Sequence, residues 1–517
     1  MTVRLDHEAL DASLLAQESK SLLRLVACGS VDHGKSSLLG RLLYESRSVF
    51  DDQLETLASD TARHDPNAEG LDFSLLLDGL AAEREQKITI DVAYRFFSTA
   101  KRKFILADAP GHEQYTRNMA TGASTADAAI LLIDVRSGLT PQTKRHSLIV
   151  SALGVRHLVV AVNKMDLADW SQDAFATVER EFRAFAKSLS VDDIVFIPLS
   201  ARHGDNVVSR STNMAWYRGP ALLDHLEQVE IPARAAGQPF RMPVQWVNRP
   251  DADFRGYCGM IASGEVTVGQ EVRILPSGVS GRIARIVTGD GDGDIARAIA
   301  GQSVTLVLEG DADISRGDVI AGIERGPLVT DRLQARIVWM GQEAFAPGRR
   351  YLVKAGTCAA TATAGSAISL IDLDTQAAHA AERLFTNEIG VAELALDRPI
   401  AVDRYADNRE TGSIILIDSE TYDTVGLGLV EGIPADRNGV SRALFPKTED
   451  SHIRSIFKAI SWRGTGSLDT FLLSFLITGS TVFAGSIAVT EIVTKIVLYY
   501  CHERVWSFIP WGRSQRV

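Results

Sequence analysis

LLRLVAC at 22–28 runs directly into GSVDHGKS at 29–36 and then into SLLGRLLYE at 37–45. The first stretch is an apolar run of strand length and the third has the apolar spacing of a helix. Between them lies G-x-x-x-x-G-K-S in its required strand-loop-helix setting. The chemistry of such a loop is specific. Glycines at 29 and 34 let the backbone N–H groups of Gly29, Ser30, Val31, Asp32, His33 and Gly34 converge on phosphate oxygens at a helix N-terminus. Lys35 supplies a point charge to the outer phosphates, and Ser36, followed by Ser37, offers a hydroxyl to Mg2+.

Working outward, two further strands end in residues that complete such a site. KFILAD at 103–108 is followed by Ala109-Pro110-Gly111-His112. Asp108 is placed for the Mg2+ shell and the Gly111 N–H for a γ-phosphate, so this loop reads as a switch. HLVVAVNK at 157–164 delivers Asn163-Lys164-Met165-Asp166. An aspartate carboxylate accepts from both the ring N1–H and the exocyclic amine of guanine, whereas adenine presents the wrong donors, so GTP is expected over ATP. A following strand, IVFIPLS at 194–200, ends at Ser200-Ala201, two small residues whose backbone N–H groups are expected at the guanine O6.

From about 22 to 235 apolar runs alternate with helix-like stretches, the pattern of a parallel sheet with crossover helices. From 236 to 328 the texture changes to short Val/Ile-rich runs cut by Gly, Pro and Asp, as in FRGYCGMIASGEVTVGQEVRILPSG, and 329–435 repeats that texture. Both read as antiparallel barrels. Residues 1–21 form a polar extension without a secretory pattern, 436–452 an acidic linker and 453–517 an apolar tail. The expected fold is therefore an α/β P-loop GTPase domain, two antiparallel β-barrel domains and a C-terminal hydrophobic helical hairpin. TGDGDGDI at 288–295 spaces acids like a calcium loop, but counting from Asp290 the sixth position is Ile295 and the twelfth Gly301. A solvated hairpin turn fits better.

Composition sets bounds. A chain of 517 residues exceeds one compact core. The net charge of -11 disfavours a broad grip on nucleic acid. Cys28, Cys258, Cys358 and Cys501 form no C-x-x-C pair, so neither a zinc site nor a disulfide framework is indicated and a reducing cytoplasm fits best.

The order of P-loop, D-x-P-G-H, N-K-x-D and S-A resembles the translational GTPase superfamily. GSVDHGKSSLLGRLLYESR, EREQKITIDVAYRFF, DAPGHEQYTRNMATGASTADAAILLID and RHLVVAVNKMDL resemble more narrowly the family of GTPase (large) subunits of bacterial sulfate adenylyltransferase. The resemblance implies that Thr89 is the switch threonine reaching Mg2+ beside Ser36 and Asp108, and that His112 positions the attacking water. Lys87 departs from the family's usual glycine, which puts switch mobility in question, and Ala109 replaces its usual threonine or cysteine. Gly34-Lys35 is the only Gly-Lys pair and no H-x-G-H motif occurs. The resemblance thus implies no fused kinase, and a partner small catalytic subunit that takes ATP and sulfate. GTP hydrolysis here would drive formation of adenylyl sulfate and pyrophosphate there. The rival readings are a translation-type factor and a membrane-tethered regulatory GTPase. The acidic balance disfavours the first, and GASTADAAILLID and FRGYCGMIASG favour the sulfurylase reading.

TFLLSFLITGSTVFAGSIAVT at 470–490 holds 21 uncharged residues, long enough to cross a bilayer. The tail resembles a family of small predicted membrane proteins. Arg454, Lys458 and Arg463 precede the apolar stretch and Arg504, Arg513 and Arg516 follow it, which favours both ends in the cytoplasm. A break near Gly479-Ser480 gives a hairpin with Glu491 and Lys495 paired on its second helix and Trp506 and Trp511 at the interface. A single span and a helical pair packed on a protein partner remain alternatives. The expected location is cytoplasmic, tethered to the inner membrane.

Overall fold

The computed structural model describes residues 20–64, 70–76, 89–187, 189–231, 237–251, 254–289, 293–310 and 312–434. Lys87, the linker and the expected membrane hairpin lie outside these residues. Among the described residues no helix is long and apolar enough to cross a membrane.

Six strands, β1 (Ser21–Gly29), β2 (Ala93–Ser98), β3 (Arg102–Asp108), β4 (Ala128–Asp134), β5 (His157–Asn163) and β6 (Asp193–Pro198), form one sheet in the order β2-β3-β1-β4-β5-β6. β1 runs parallel to β3 and β4, β4 to β5, and β5 to β6. The expected parallel sheet thus holds except at its edge, where β2 is antiparallel to β3. Thr99–Lys101, which join them, are too few for a crossover and impose a hairpin.

The helices are α1 (Lys35–Glu45), α2 (Asp51–His64), α3 (Thr116–Ser124), α4 (Pro141–Ala152), α5 (Gln172–Ala186) and α6 (Leu222–Gln228). Side chains of β1 alternate between two cores because successive strand residues point to opposite faces. Leu23, Leu25 and Ala27 pack with Leu38, Leu39 and Leu42 of α1 and with Leu222 and Leu226 of α6. Val26 and Cys28 pack with Met119, Ile149, Val150 and Phe182 on the other face. β4 is buried along its whole length, as a central strand covered on both faces must be. Two of the covering helices begin with side-chain caps. The Thr140 hydroxyl accepts from Thr143 N (3.2 Å) ahead of Pro141 on α4, and Ser171 accepts from Ala174 N (3.3 Å) on α5.

Two antiparallel sheets of seven strands follow. The first, from Arg241–Pro243 to Val319–Gly322, encloses Phe240, Met242, Tyr257, Ile283, Ile286 and Leu306. Within it Val287 bridges Asp294, and Asp294 pairs with Arg285, while residues 290–292 of the TGDGDGDI stretch lie outside the described residues. In the second, Arg350–Ala355 pairs with both Ser413–Asp418 and Cys358–Ile371, which closes six strands into a barrel around Trp339, Phe345 and Tyr351.

The barrels and the α/β domain share buried contacts. Arg241 of the first barrel is 3% exposed and binds Asp403 through Nε (3.0 Å) and a terminal nitrogen (3.1 Å). Val338, Ile389 and Leu429 of the second barrel join the core behind α4 and α5. Tyr405 donates to Leu153 O (2.9 Å), and Lys144 of α4 pairs with Asp374 (2.5 Å).

Candidate functional site

The parallel strands β1, β3, β4, β5 and β6 all point their carboxyl ends to one edge of the sheet, the position where α/β sheets place ligands. Gly29–Ser36, Asp108–His112, Asn163–Asp166 and Ser200–Ala201 leave the strands there.

Gly34 takes φ 87° as it caps α1, and Asp32 before it takes φ 62°. Only glycine adopts the first without strain, and a Cβ at Gly34 would stand 2.5 Å from Asn163 Nδ2. Lys35 is 7% exposed and turns back on its own loop, its Nζ donating to Gly29 O (3.1 Å) and Ser30 O (3.2 Å). Burial pushes its pKa down, and the charge of Asp108 works against that loss. Asp108 is itself buried at the end of β3. Gly111 backs onto this loop so closely that an added Cβ would meet Lys35 Nζ and sit 2.7 Å from Gly29 O. Ala109 is fully buried and donates its N–H to Ala27 O (3.1 Å), continuing the ladder of β1 and β3. Its side chain therefore belongs to the core, as does Pro110 beside it. Val31, Ser36 and Ser37 are half-buried and Asp32 is exposed.

His33 contributes differently from its neighbours. Its ring points into the protein, where Nδ1 donates to Leu132 O (3.0 Å) and Nε2 accepts from the Ser137 hydroxyl (3.2 Å). A carbonyl can only accept, so Nδ1 carries a proton, and in the neutral ring Nε2 is the acceptor. Burial lowers the ring's pKa in the same sense.

Asn163 joins three loops. Its Nδ2 donates to His33 O (2.8 Å) and its Oδ1 accepts from Ala201 N (3.0 Å), with the side chain 2% exposed. Ser200 N donates to Asp205 O (3.2 Å). Both N–H groups expected at the guanine O6 are therefore committed inside the protein. Ser200 and Ala201 act on the site by holding its other members. The Ser200 hydroxyl donates to Asp166 Oδ1 (2.6 Å), and His203 Nδ1 lies 3.9 Å from Asp166 Oδ2. Met165 is fully buried, with its N–H on Leu199 O (3.2 Å), which seats the loop.

Lys164, at φ 64°, donates to Asp32 O and pairs with Asp134 Oδ2 (3.1 Å). Asp134 also accepts from Arg136 N (2.9 Å), Nε (3.1 Å) and a terminal nitrogen (2.7 Å). Burial alone would raise its pKa, but the bonds from Arg136 and Lys164 more than offset that and hold it well below the usual carboxylate range.

His112 caps the short turn Glu113–Tyr115, its Nδ1 accepting from Gln114 N (3.3 Å), which leaves the proton on Nε2. Arg145 of α4 lies 3.6 Å from Glu113. Thr89 is half-buried in the segment before β2, and Ile90 O accepts from Asn118 Nδ2 (2.8 Å). Because Ala93 pairs with Asp108, antiparallel β2 starts at the same sheet edge as the phosphate loop.

Asp134, Ser137 and His203 are parts of this site that motif reading missed. Asp134 had a visible signal, since it is the one charged residue of AAILLID.

Residues 20–232 match the family described as elongation factor Tu GTP binding domain, and 332–431 match the GTP-eEF1A C-terminal domain-like family. Residues 456–507 match a family described as predicted membrane protein (DUF2061). Sulfate adenylyltransferase subunit 1 of Methylorubrum populi is 51% identical over 86% of this chain and 94% of its own length. The protein of that description from Aeromonas hydrophila is 52% identical over 83% and 90%. The bifunctional enzyme NodQ of Rhizobium sp. is 52% identical over 81% of this chain and 64% of itself.

Proposed function

The chain belongs to the family of sulfate adenylyltransferase subunit 1, and from that membership we propose that it is the GTP-binding and hydrolysing subunit of a sulfate adenylyltransferase. It couples GTP hydrolysis to the formation of adenylyl sulfate and pyrophosphate from ATP and sulfate on a separate small subunit. The observation that carries this reading is the 51% identity over nearly the whole length of the Methylorubrum subunit.

The site has matching chemistry. The phosphate loop, Gly29–Ser37, cradles the triphosphate, and Lys35 exchanges its two loop carbonyls for phosphate oxygens. Asp166, its carboxylate oriented by Ser200, accepts from guanine N1–H and the exocyclic amine. Mg2+, when bound, neutralises charge on the β- and γ-phosphates. Ser36, Thr89 and Asp108 would hold it, a fit supported by the buried Asp108 carboxylate that faces the charge of Lys35. Gly111 N–H meets the γ-phosphate from the switch side. His112 presents Nε2–H to the attacking water and orients it, a role that needs a hydrogen bond and no unusual acidity.

The tail supports a further part of the reading. Residues 456–507 resemble a family of predicted membrane proteins, which supports reading the tail, 453–517, as a tether that holds the chain on the cytoplasmic side of the inner membrane. Membrane association that resists carbonate and disappears on deletion after Asp450 is the expected result. A full-length protein that stays in solution without detergent refutes the tether.

The test of the main reading is co-purification with the small subunit, followed by sulfate-dependent pyrophosphate release with and without GTP. Strong stimulation by GTP is expected. An active pair indifferent to GTP overturns the coupling.

A further inference from the structure

β4 lies between β1, which leads into the phosphate loop, and β5, which leads into the base loop. Its register sets Leu132 beside Gly29 and its last residue, Asp134, beside Asn163. The end of β4 is thus the point of the sheet that adjoins both loops, and it carries a carboxylate that is 4% exposed. A carboxylate there must be fully hydrogen-bonded, because an unpaired buried charge is costly. Arg136 satisfies one oxygen and shares the other with Lys164. Arg136 is half exposed and belongs to the same turn, so it serves the turn alone. Lys164 is different. Its Nζ reaches past Asp134 to the carbonyl of Asp32, which is held at φ 62° and belongs to the phosphate loop.

We propose that Asp134 is a positioning residue for nucleotide affinity, drawing the Lys164 ammonium onto the Asp32 carbonyl and so fastening the base loop to the phosphate loop. Asn163 makes a parallel fastening one residue away, through His33 O. With both in place, the distance between the base-reading and phosphate-reading halves is set before any nucleotide arrives, which removes an ordering cost from binding. Without the Asp134 charge, Lys164 keeps one neutral acceptor and the side chain relaxes toward water. The link touches neither the switch loop nor the γ-phosphate end. Its loss therefore weakens GDP and GTP alike and leaves hydrolysis at saturation unchanged.

This inference rests on reading the site as a guanine-nucleotide site, and the experiment separates the two. Full-length wild-type protein is titrated with N-methylanthraniloyl GDP, with GDP and ADP as competitors. Absence of binding, or equal competition by ADP, refutes the site reading itself. Given specific binding, D134N is expected to weaken the probe about ten-fold, the size of one charge-assisted bond. GTP weakens by the same factor, kcat for hydrolysis holds, and R136M stays within about two-fold. In a double-mutant cycle, D134N together with K164M is expected to cost no more than K164M alone. A D134N affinity within about two-fold of wild type, or losses that multiply in the double variant, overturns the proposal. Should D134N unfold below the assay temperature, K164Q reads the link from its more exposed end. An about ten-fold loss at an unchanged thermal midpoint supports it, and an affinity within about two-fold of wild type overturns it.

Discussion

At the base end of the site, Asn163, Lys164, Asp166 and Ser200 are bonded across loops that come from three different strands, each to a partner within the protein. At the phosphate end, Lys35 bonds, among the described residues, to carbonyls of its own loop, and Gly111 presses against it. The base end is built in advance, while the phosphate end must exchange one set of partners for another. Binding energy for the base is therefore spent on recognition, and the nucleotide state is registered where the bonds are exchanged.

The strongest test of this contrast is K35A. Lys35 is the cation that the phosphate loop itself carries, so GTP and GDP affinity should both fall by about a thousand-fold in calorimetry, near the range for removing one member of a desolvated charge pair. A loss below about ten-fold would break the comparison by showing that the backbone cradle suffices. H112A comes next. It lowers kcat for GTP hydrolysis by about a hundred-fold and leaves nucleotide affinity within about two-fold, because the ring acts on the water and caps only a local turn. At the base end, D166N weakens GTP about thirty-fold and narrows the gap between GTP and ITP, since the partner of the exocyclic amine is gone. If K35A narrowed that gap as well, the two ends would not be independent.

The smallest effect is set by pH. Burial holds His146 of α4 at a pKa of about 3 and lowers that of His33. Each folded-state value lies below the unfolded reference near 6.5, so the unfolded chain binds more protons beneath that pH. Stability is then complete above pH ~6.5 and declines on acidification by up to about 1.4 kcal/mol per pH unit per histidine. Denaturant unfolding between pH 7 and 5 measures the slope, and H146L should reduce it. His33 sits inside the phosphate loop, so acidification should loosen that loop through it.

Much of this site was legible because its members sit in contiguous motifs at strand ends. The six-residue spacing from Gly29 to Lys35 and the run from Asn163 to Asp166 state their chemistry without any long-range contact. The inward turn of His33 was not legible, because its partners Leu132 and Ser137 lie about a hundred residues away and become neighbours only when β4 settles beside β1. Motif reading also left the Ser200 and Ala201 N–H groups free for the base, whereas Asp205 in the following turn and Asn163 at the end of β5 accept from them. In the fold, strand-length runs gave the sheet, but antiparallel β2 follows from a connection length that apolar patterning does not report. The closure of the second barrel depends on one strand pairing with two others, a relation absent from local periodicity.

Asn163 uses both halves of its amide, one nitrogen giving and one oxygen receiving. The protein thereby reads the chemical polarity of that group and not merely its shape. Slow hydrolytic ageing of the amide to a carboxylate would turn the donor into a second acceptor facing the His33 carbonyl, converting attraction into lone-pair repulsion at the seam of three loops. Burial at 2% exposure withholds the water and backbone freedom that such decay requires. The same packing that shapes the nucleotide site thus also sets its shelf life.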